Sequence, residues 1–266
     1  MNVAAAQIQP RLARPEENRA ILGRYCKRAA KHDVQVLVFP ELCATGYVIS
    51  SKTELMRLAE PVPDGPTTQL WLEAAAAHQM IIVGGLAELG GDGKVYNSAA
   101  VVGPNGFLGC YRKLHLFDRE KRLFEPGNQA PKVYRTPNVT LGVLVCFDWA
   151  FPEASRILML EGCELLCHPA NLVLPFAQRV MIVRSIENRF FTITANRLGK
   201  EKDLTFHGHS QITNCRGEIM AKGSSNRPQL LIAKIDPSEA RDKYLTPSNH
   251  IIQDRRVTFY KRLLEK

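Results

Sequence analysis

The sequence predicts an α/β fold in one domain, with mixed rather than purely parallel sheets and two sheet-bearing halves covered by outer helices. Three observations predict it. Short apolar runs of strand type alternate with helix-type stretches along the chain. Two of the runs are joined by Gly103-Pro-Asn-Gly106, a turn that makes its flanking strands antiparallel. No low-complexity linker divides the 266 residues, so a two-layer sheet core with helices outside is the economical way to bury both halves.

The elements follow in order. NVAAAQIQ is the first strand. Pro15 to Lys31 reads as a helix, with Ala20, Ile21, Tyr25 and Ala29 as its apolar stripe. VQVLVFPE is apolar on both sides, as expected of a strand covered by helices. Thr67 to Gln79 is the next helix and MIIVGGLAE the next strand; KVYNSAAVV and GFLGCYRK form the hairpin. VTLGVLVC, Val139 to Cys146, reads as a strand, followed by a helix from Pro152 to Glu161 that opens on proline. CELLCHPAN is a strand, Phe176 to Asn188 a helix, and FFTITANR, HSQITN and LLIAKID are strands. A basic segment follows Pro247.

Composition narrows the function. Hydrophobic residues at 45% and charged residues at 23% fit a globular chain. No apolar run approaches the roughly 18 residues of a membrane span, and the N-terminus reads as a strand rather than a signal peptide. The net charge of +9 comes without a zinc-finger or RNP-like pattern, so nucleic acid is not an expected partner. Seven cysteines, most in apolar runs, fit a reducing compartment, and the expected location is cytoplasmic. No GxGxxG stands at the first turn, which disfavours a dinucleotide fold. His207 and His209 would share one face of a strand, but no ligand set accompanies them, so neither metal nor cofactor is expected. Cys163 and Cys167 are separated by strand-entry residues and do not read as a redox pair.

The chemistry-bearing residues stand at strand ends, where α/β sheets gather their ligand sites. Cys146 closes an apolar run and precedes FDWAFPE. The Phe147 amide beside it is a candidate oxyanion donor. Glu41 closes LVFPE after a charge-free segment, Val34 to Pro40. Partial removal from water raises such a carboxyl toward the range useful in a general base. Lys113 lies next to Arg112; in a strand the two point to opposite faces, so only one can face a site. Glu120 would hold the lysine, although Asp118 and Glu125 are equal candidates by pattern. His115 reads as a support residue on the lysine's side. Tyr47, Phe117, Trp149 and Asn171 adjoin these segments and are the expected pocket residues.

Five segments in order resemble the nitrilase superfamily of carbon–nitrogen hydrolases: FPELCATGY, YRKLHLFDREKRLFEPG, GVLVCFDWAFPEASRIL, HPANLVLPF and RSIENRFFTITANR. The small dimeric archaeal-type branch is most similar. The resemblance implies a four-layer α-β-β-α sandwich with two mixed sheets over residues 1–266, and a homodimer to which residues 240–266 contribute. It also implies a Glu-Lys-Cys triad, Glu41, Lys113 and Cys146, with Glu120 beside it, hydrolysing a small amide or nitrile through a thioester. The sequence has Phe-Asp-Trp after the cysteine, where larger nitrilases place Trp-Glu. N-carbamoyl substrates, for which Arg179 is the local candidate to hold a carboxylate, and acyl transfer on the same thioester remain alternatives.

Overall fold

The structure, a computed structural model, describes residues 1–265. Its first half runs β1 (Asn2–Gln7), α1 (Pro15–Ala30), β2 (Val34–Val38), α2 (Lys52–Leu58), α3 (Pro66–His78), β3 (Ile81–Leu89), β4 (Val95–Gly103) and β5 (Gly106–Arg112). A short helix, α4 (Glu120–Leu123), precedes the second half: β6 (Val133–Arg135), β7 (Thr140–Val143), α5 (Pro152–Leu160), β8 (Leu165–Ala170), α6 (Ala177–Asn188) and β9 (Phe191–Asn196). A hairpin, β10 (Leu198–Glu201) and β11 (Leu204–His207), leads to β12 (Gln211–Thr213), β13 (Ile219–Lys222) and β14 (Gln229–Lys234). A small hairpin, β15 (Tyr244–Thr246) and β16 (Asn249–His250), precedes the C-terminal segment. Lys266, the last basic residue of that segment, lies outside the described residues.

Two six-stranded sheets carry the fold, ordered β14-β1-β2-β3-β4-β5 and β13-β12-β9-β8-β7-β6. Both are mixed: β1-β2-β3 and β7-β8-β9 pair in parallel, and the flanking strands are antiparallel. The period-2 alternation of a strand distributes its side chains between two cores. Val3, Ala5, Val36, Val38, Val83, Ala99 and Val101 face the second sheet and pack with Leu141, Val143, Leu165, Cys167 and Ile193. Their alternates Ala4, Ala6, Leu37, Ile82, Ala100 and Val102 face outward against Leu22, Tyr25, Cys26 and Ala29 of α1 and Trp71 and Ala75 of α3. Helices α5 and α6 cover the second sheet, adding Ala154, Leu158, Ala177 and Met181 to its core. The result is the four-layer α-β-β-α sandwich.

Local chemistry sets the helix ends. α1 starts on Pro15 with Glu16 and Glu17 in its first turn and ends on Lys27 and Arg28, matching the helix dipole. Two adjacent glycines in β3 then admit neighbours on both faces. A Cβ on Gly84 would stand 2.4 Å from the Trp71 ring, and one on Gly85 2.4 Å from Glu41 Cα. Gly85 also donates its amide to Pro40 O and accepts from the Cys43 amide. The Gly85→Ala variant is therefore expected to lose about 1–3 kcal/mol of stability by overpacking, read by urea denaturation, and to displace Glu41.

Several sequence expectations need correction here. The run ending in Cys146 is not all strand: β7 stops at Val143, and Cys146 opens a 3-10 turn, Cys146–Ala150. Leu144 and Val145 are nonetheless buried in the shared core, which is why the run stays apolar. His207 and His209 do not share a strand face, because β11 ends at His207 and Gly208 and His209 both take positive φ.

Candidate active site

The site lies between the sheets, where chain leaves the carboxyl ends of β2, β7 and β8. Glu41 follows β2, Lys113 follows β5, Cys146 follows β7 and Asn171 follows β8. All four are buried, and so is Glu120 at the start of α4. The Lys113 ammonium donates to Glu41 Oε1 at 2.7 Å and to Glu120 Oε1 and Oε2 at 2.8 and 2.7 Å. Arg112 turns the other way, pairs with Glu88 at 2.6 Å and stacks on Tyr96; this is the strand alternation expected of adjacent residues. The three candidate carboxylates also separate. Asp118 is exposed beside Arg119, Glu125 pairs with Lys94, and Glu120 alone reaches Lys113.

Glu41 is used asymmetrically. Its Oε1 accepts from Lys113 and from Asn97 Nδ2, at 2.7 Å each. Its Oε2 is buried with no partner among the described residues. A buried acceptor without a donor costs about 1–3 kcal/mol, so this oxygen is poised to take up a proton. Burial raises the Glu41 carboxyl above its ordinary value, against the pull of Lys113, and Glu120 adds to the rise. Burial alone would lower the Lys113 ammonium, but Glu41 and Glu120 outweigh it and hold its proton firmly. Burial, followed by the charge of Glu41, pushes the Cys146 thiol well above its ordinary value. Lys113 and the backbone amide of Asn171 act in the opposite direction. With two carboxylates and one ammonium nearby, the resting sulfur keeps its proton.

Cys146 sits at φ +44°, a region that a non-glycine residue occupies at a cost of about 1–2 kcal/mol. Two groups hold it there. Asp148, fully buried, accepts from the Val145 amide at 2.9 Å, Tyr111 Oη at 2.8 Å and the His115 amide and Nδ1 at 3.1 and 2.7 Å. His115 also stacks on Phe151, the supporting place expected of it. His168 Nε2 donates to the Cys146 carbonyl at 2.9 Å, while Nδ1 faces Thr194 Oγ1 at 3.2 Å. Burial depresses His168 to about 4, so the ring is neutral and Nδ1 accepts. Its ordinary value is 6.5, so between about pH 6.5 and 4 the unfolded chain binds the proton that the folded chain refuses. Stability is expected to fall through that window on acidification by roughly 3 kcal/mol from this group. Urea denaturation at each pH checks it, with His168→Gln losing the dependence.

The cleft over the sulfur is lined by Phe117, Cys146, Phe147, Trp149, Asn171, Leu172, Val173 and Leu174, and its volume is about 10 Å³. That is room for one water-sized group. Neither the amide nitrogen nor the oxygen of the Asn171 side chain has a partner among the described residues. Tyr47, in contrast, does not line this cleft; it donates to Glu120 Oε1 at 2.7 Å. Larger clefts lie between α1 and α3, about 720 Å³ and lined in part by Cys26, Lys27 and Glu73, and beside α6, about 460 Å³ and without a thiol or carboxylate in its lining. The described residues hold no group of three or more His, Cys, Asp or Glu placed to bind a metal ion. Asn97, His168 and the pair Arg197–Glu201 were not anticipated from the sequence.

Comparison with known proteins gives the family. The family model described as carbon-nitrogen hydrolase matches residues 2–243. A nitrilase of Pyrococcus abyssi is 41% identical over 98% of this chain and 100% of its own length. A probable nitrilase of Schizosaccharomyces pombe is 31% identical over 99% of this chain and 98% of its own. The crystal structure of a carbon-nitrogen hydrolase from Helicobacter pylori superposes with a TM-score of 0.90 at 26% identity, covering 100% of this chain and 99% of that one. The sandwich and these matches together place the chain in the carbon–nitrogen hydrolase family, to which it belongs.

Proposed function

We propose that this protein hydrolyses the carbon–nitrogen bond of a small amide or nitrile, with Cys146 as nucleophile and a covalent thioester on the path. The observation that carries the reading is the unpartnered Oε2 of Glu41, buried in one cluster with the Cys146 thiol and with the Lys113 ammonium at 2.7 Å from its other oxygen. Glu41 Oε2 takes the thiol proton as sulfur attacks the carbonyl or nitrile carbon. Lys113 and the Phe147 amide stabilise the negative oxygen or nitrogen that forms. All three ammonium protons are engaged in the resting site, so the doubled contact to Glu120 is the one that yields. For an amide, the carbon–nitrogen bond breaks and the proton held by Glu41 leaves with ammonia. Water, deprotonated by Glu41, then cleaves the thioester, and the proton returns to sulfur. For a nitrile, water first adds to a thioimidate, which expels ammonia to give the same thioester. Phe117, Trp149 and Asn171 surround the acyl group.

The experiment is a panel of short amides, dinitriles and N-carbamoyl compounds assayed for ammonia and acid. Turnover of a short amide or nitrile is the expected result; no ammonia from any member would contradict the reading. The acid limb of kcat/KM is expected above the ordinary carboxyl value of 4.5, because Glu41 must be ionised to act and burial raises it. A second reading, N-carbamoyl hydrolysis, is supported by Arg179. That residue lines the cleft beside α6, which shares Leu172 and Leu174 with the cleft over the sulfur.

The remaining parts of the reading concern assembly and location. Residues 1–266 act as one domain, and two copies pair through α5, α6 and the C-terminal segment from residue 240. Exposed Ile157, Leu160, Val183, Ile186, Phe259 and Leu263 support this, and light scattering would test it. Seven free cysteines support a reducing compartment such as the cytoplasm. No helix among the described residues is long and apolar enough to cross a membrane.

A further inference from the structure

The hairpin β10–β11 places a buried ion pair that the mechanism above does not use. Arg197 and Glu201 are both buried. The Arg197 guanidinium pairs with Glu201 Oε1, donates to Pro10 O at 3.1 Å and lies over the Phe206 ring. A buried pair of this kind seldom repays its desolvation as a stabiliser. What the carboxylate supplies here is its second oxygen. Glu201 Oε2 accepts from the backbone amides of Tyr47 and Val48, at 2.8 Å each. Gly46 makes that approach possible: its φ is +80°, and a Cβ there would stand 2.8 Å from Glu201 Oε1. Phe206 meets the Tyr47 ring edge-on at 5.8 Å. Backbone and ring of Tyr47 are thus both fixed from the hairpin, and its hydroxyl donates to Glu120 Oε1 at 2.7 Å.

We infer that Glu201, steadied by Arg197, is a positioning residue for the reaction: it fixes Tyr47, whose hydroxyl fixes Glu120 and thereby the Lys113 ammonium. The inference rests on the proposed roles of Cys146 and Lys113. Glu120 Oε1 is shared between the phenol and the ammonium, while Oε2 accepts from the ammonium and from the Phe117 amide at 3.2 Å. Removing the phenol leaves Oε1 to the ammonium alone, which tightens that contact and draws Lys113 away from Glu41 and the sulfur. The thiolate then loses part of its stabilisation, and Cys146 becomes harder to ionise.

The test is the rate of Cys146 alkylation by iodoacetamide as a function of pH, read by peptide mass, in wild type, Tyr47→Phe, Glu201→Gln and the double variant. Wild type is expected to label Cys146 faster than its other cysteines. Tyr47→Phe is expected to slow labelling by roughly 10- to 100-fold near neutrality and to move the pH inflection upward, with melting temperature little changed. Glu201→Gln is expected to move the inflection the same way, and the double variant to be no slower than the slower single. A Glu201→Gln chain that fails to fold is replaced by Glu201→Asp, which keeps the charge and shortens the reach. An unmoved inflection in Tyr47→Phe, or multiplicative slowing in the double variant, would overturn the inference. If wild-type Cys146 itself labels no faster than the buried core cysteines, the catalytic reading fails instead, and the two failures are distinct.

Discussion

The Cys146→Ala variant is expected to release ammonia at least about 10⁴-fold more slowly than wild type, with its fold intact. The sulfur is the only group in the cluster able to attack carbon; Glu41 is committed to Lys113 and Asn97 through one oxygen and to proton uptake through the other. Stability should change by about 1 kcal/mol or less. The sulfur is one atom at the border between the buried core and the cleft, and alanine meets the same strain at φ +44° as cysteine does. Ammonia assays with circular dichroism separate the two effects. A folded alanine variant with unchanged turnover would rule the mechanism out.

The Lys113→Met variant is expected to lose both activity and stability, which distinguishes the lysine from the cysteine. Lys113 is buried between two carboxylates. Methionine of similar length leaves both without a counter-charge, at a cost of about 3–5 kcal/mol, or a melting temperature lower by roughly 10 °C. The sign of its pH dependence follows. A carboxyl whose folded pKa is raised contributes stability below its unfolded value and loses it as pH rises through the folded value. Removing the ammonium raises Glu41 further, so the deficit should be largest near neutrality and shrink on acidification. Calorimetry across pH checks this, and a deficit that grows on acidification would contradict it.

Cys146 and Glu41 stood out in the sequence because each ends an apolar run, whereas Lys113 follows Arg112 on the half-exposed edge strand β5 and stood out only by its place in the YRKLHLF segment. The opposite facing of Arg112 and Lys113 followed from strand alternation alone. Glu120 needed the structure to set it apart from Asp118 and Glu125, since spacing along an irregular connection does not report which carboxylate turns inward. Asn97 was hidden inside KVYNSAAVV, where one amide in an apolar strand looks like an edge position. The β10–β11 hairpin was missed for a different reason. LGKEKDLTFH is mostly polar, and the burial of Arg197 and Glu201 depends on their pairing with each other, which hydropathy cannot register. The end of β7 was misplaced because hydrophobicity reports burial rather than strand pairing.

The most direct measurement is acid quenching of the enzyme during turnover of a short amide, followed by peptide mass mapping. The account predicts the acyl group's mass on the peptide carrying Cys146, appearing within one turnover and absent from Cys146→Ala. Steady release of ammonia with that peptide unmodified, or an acyl group on a different residue, would contradict it.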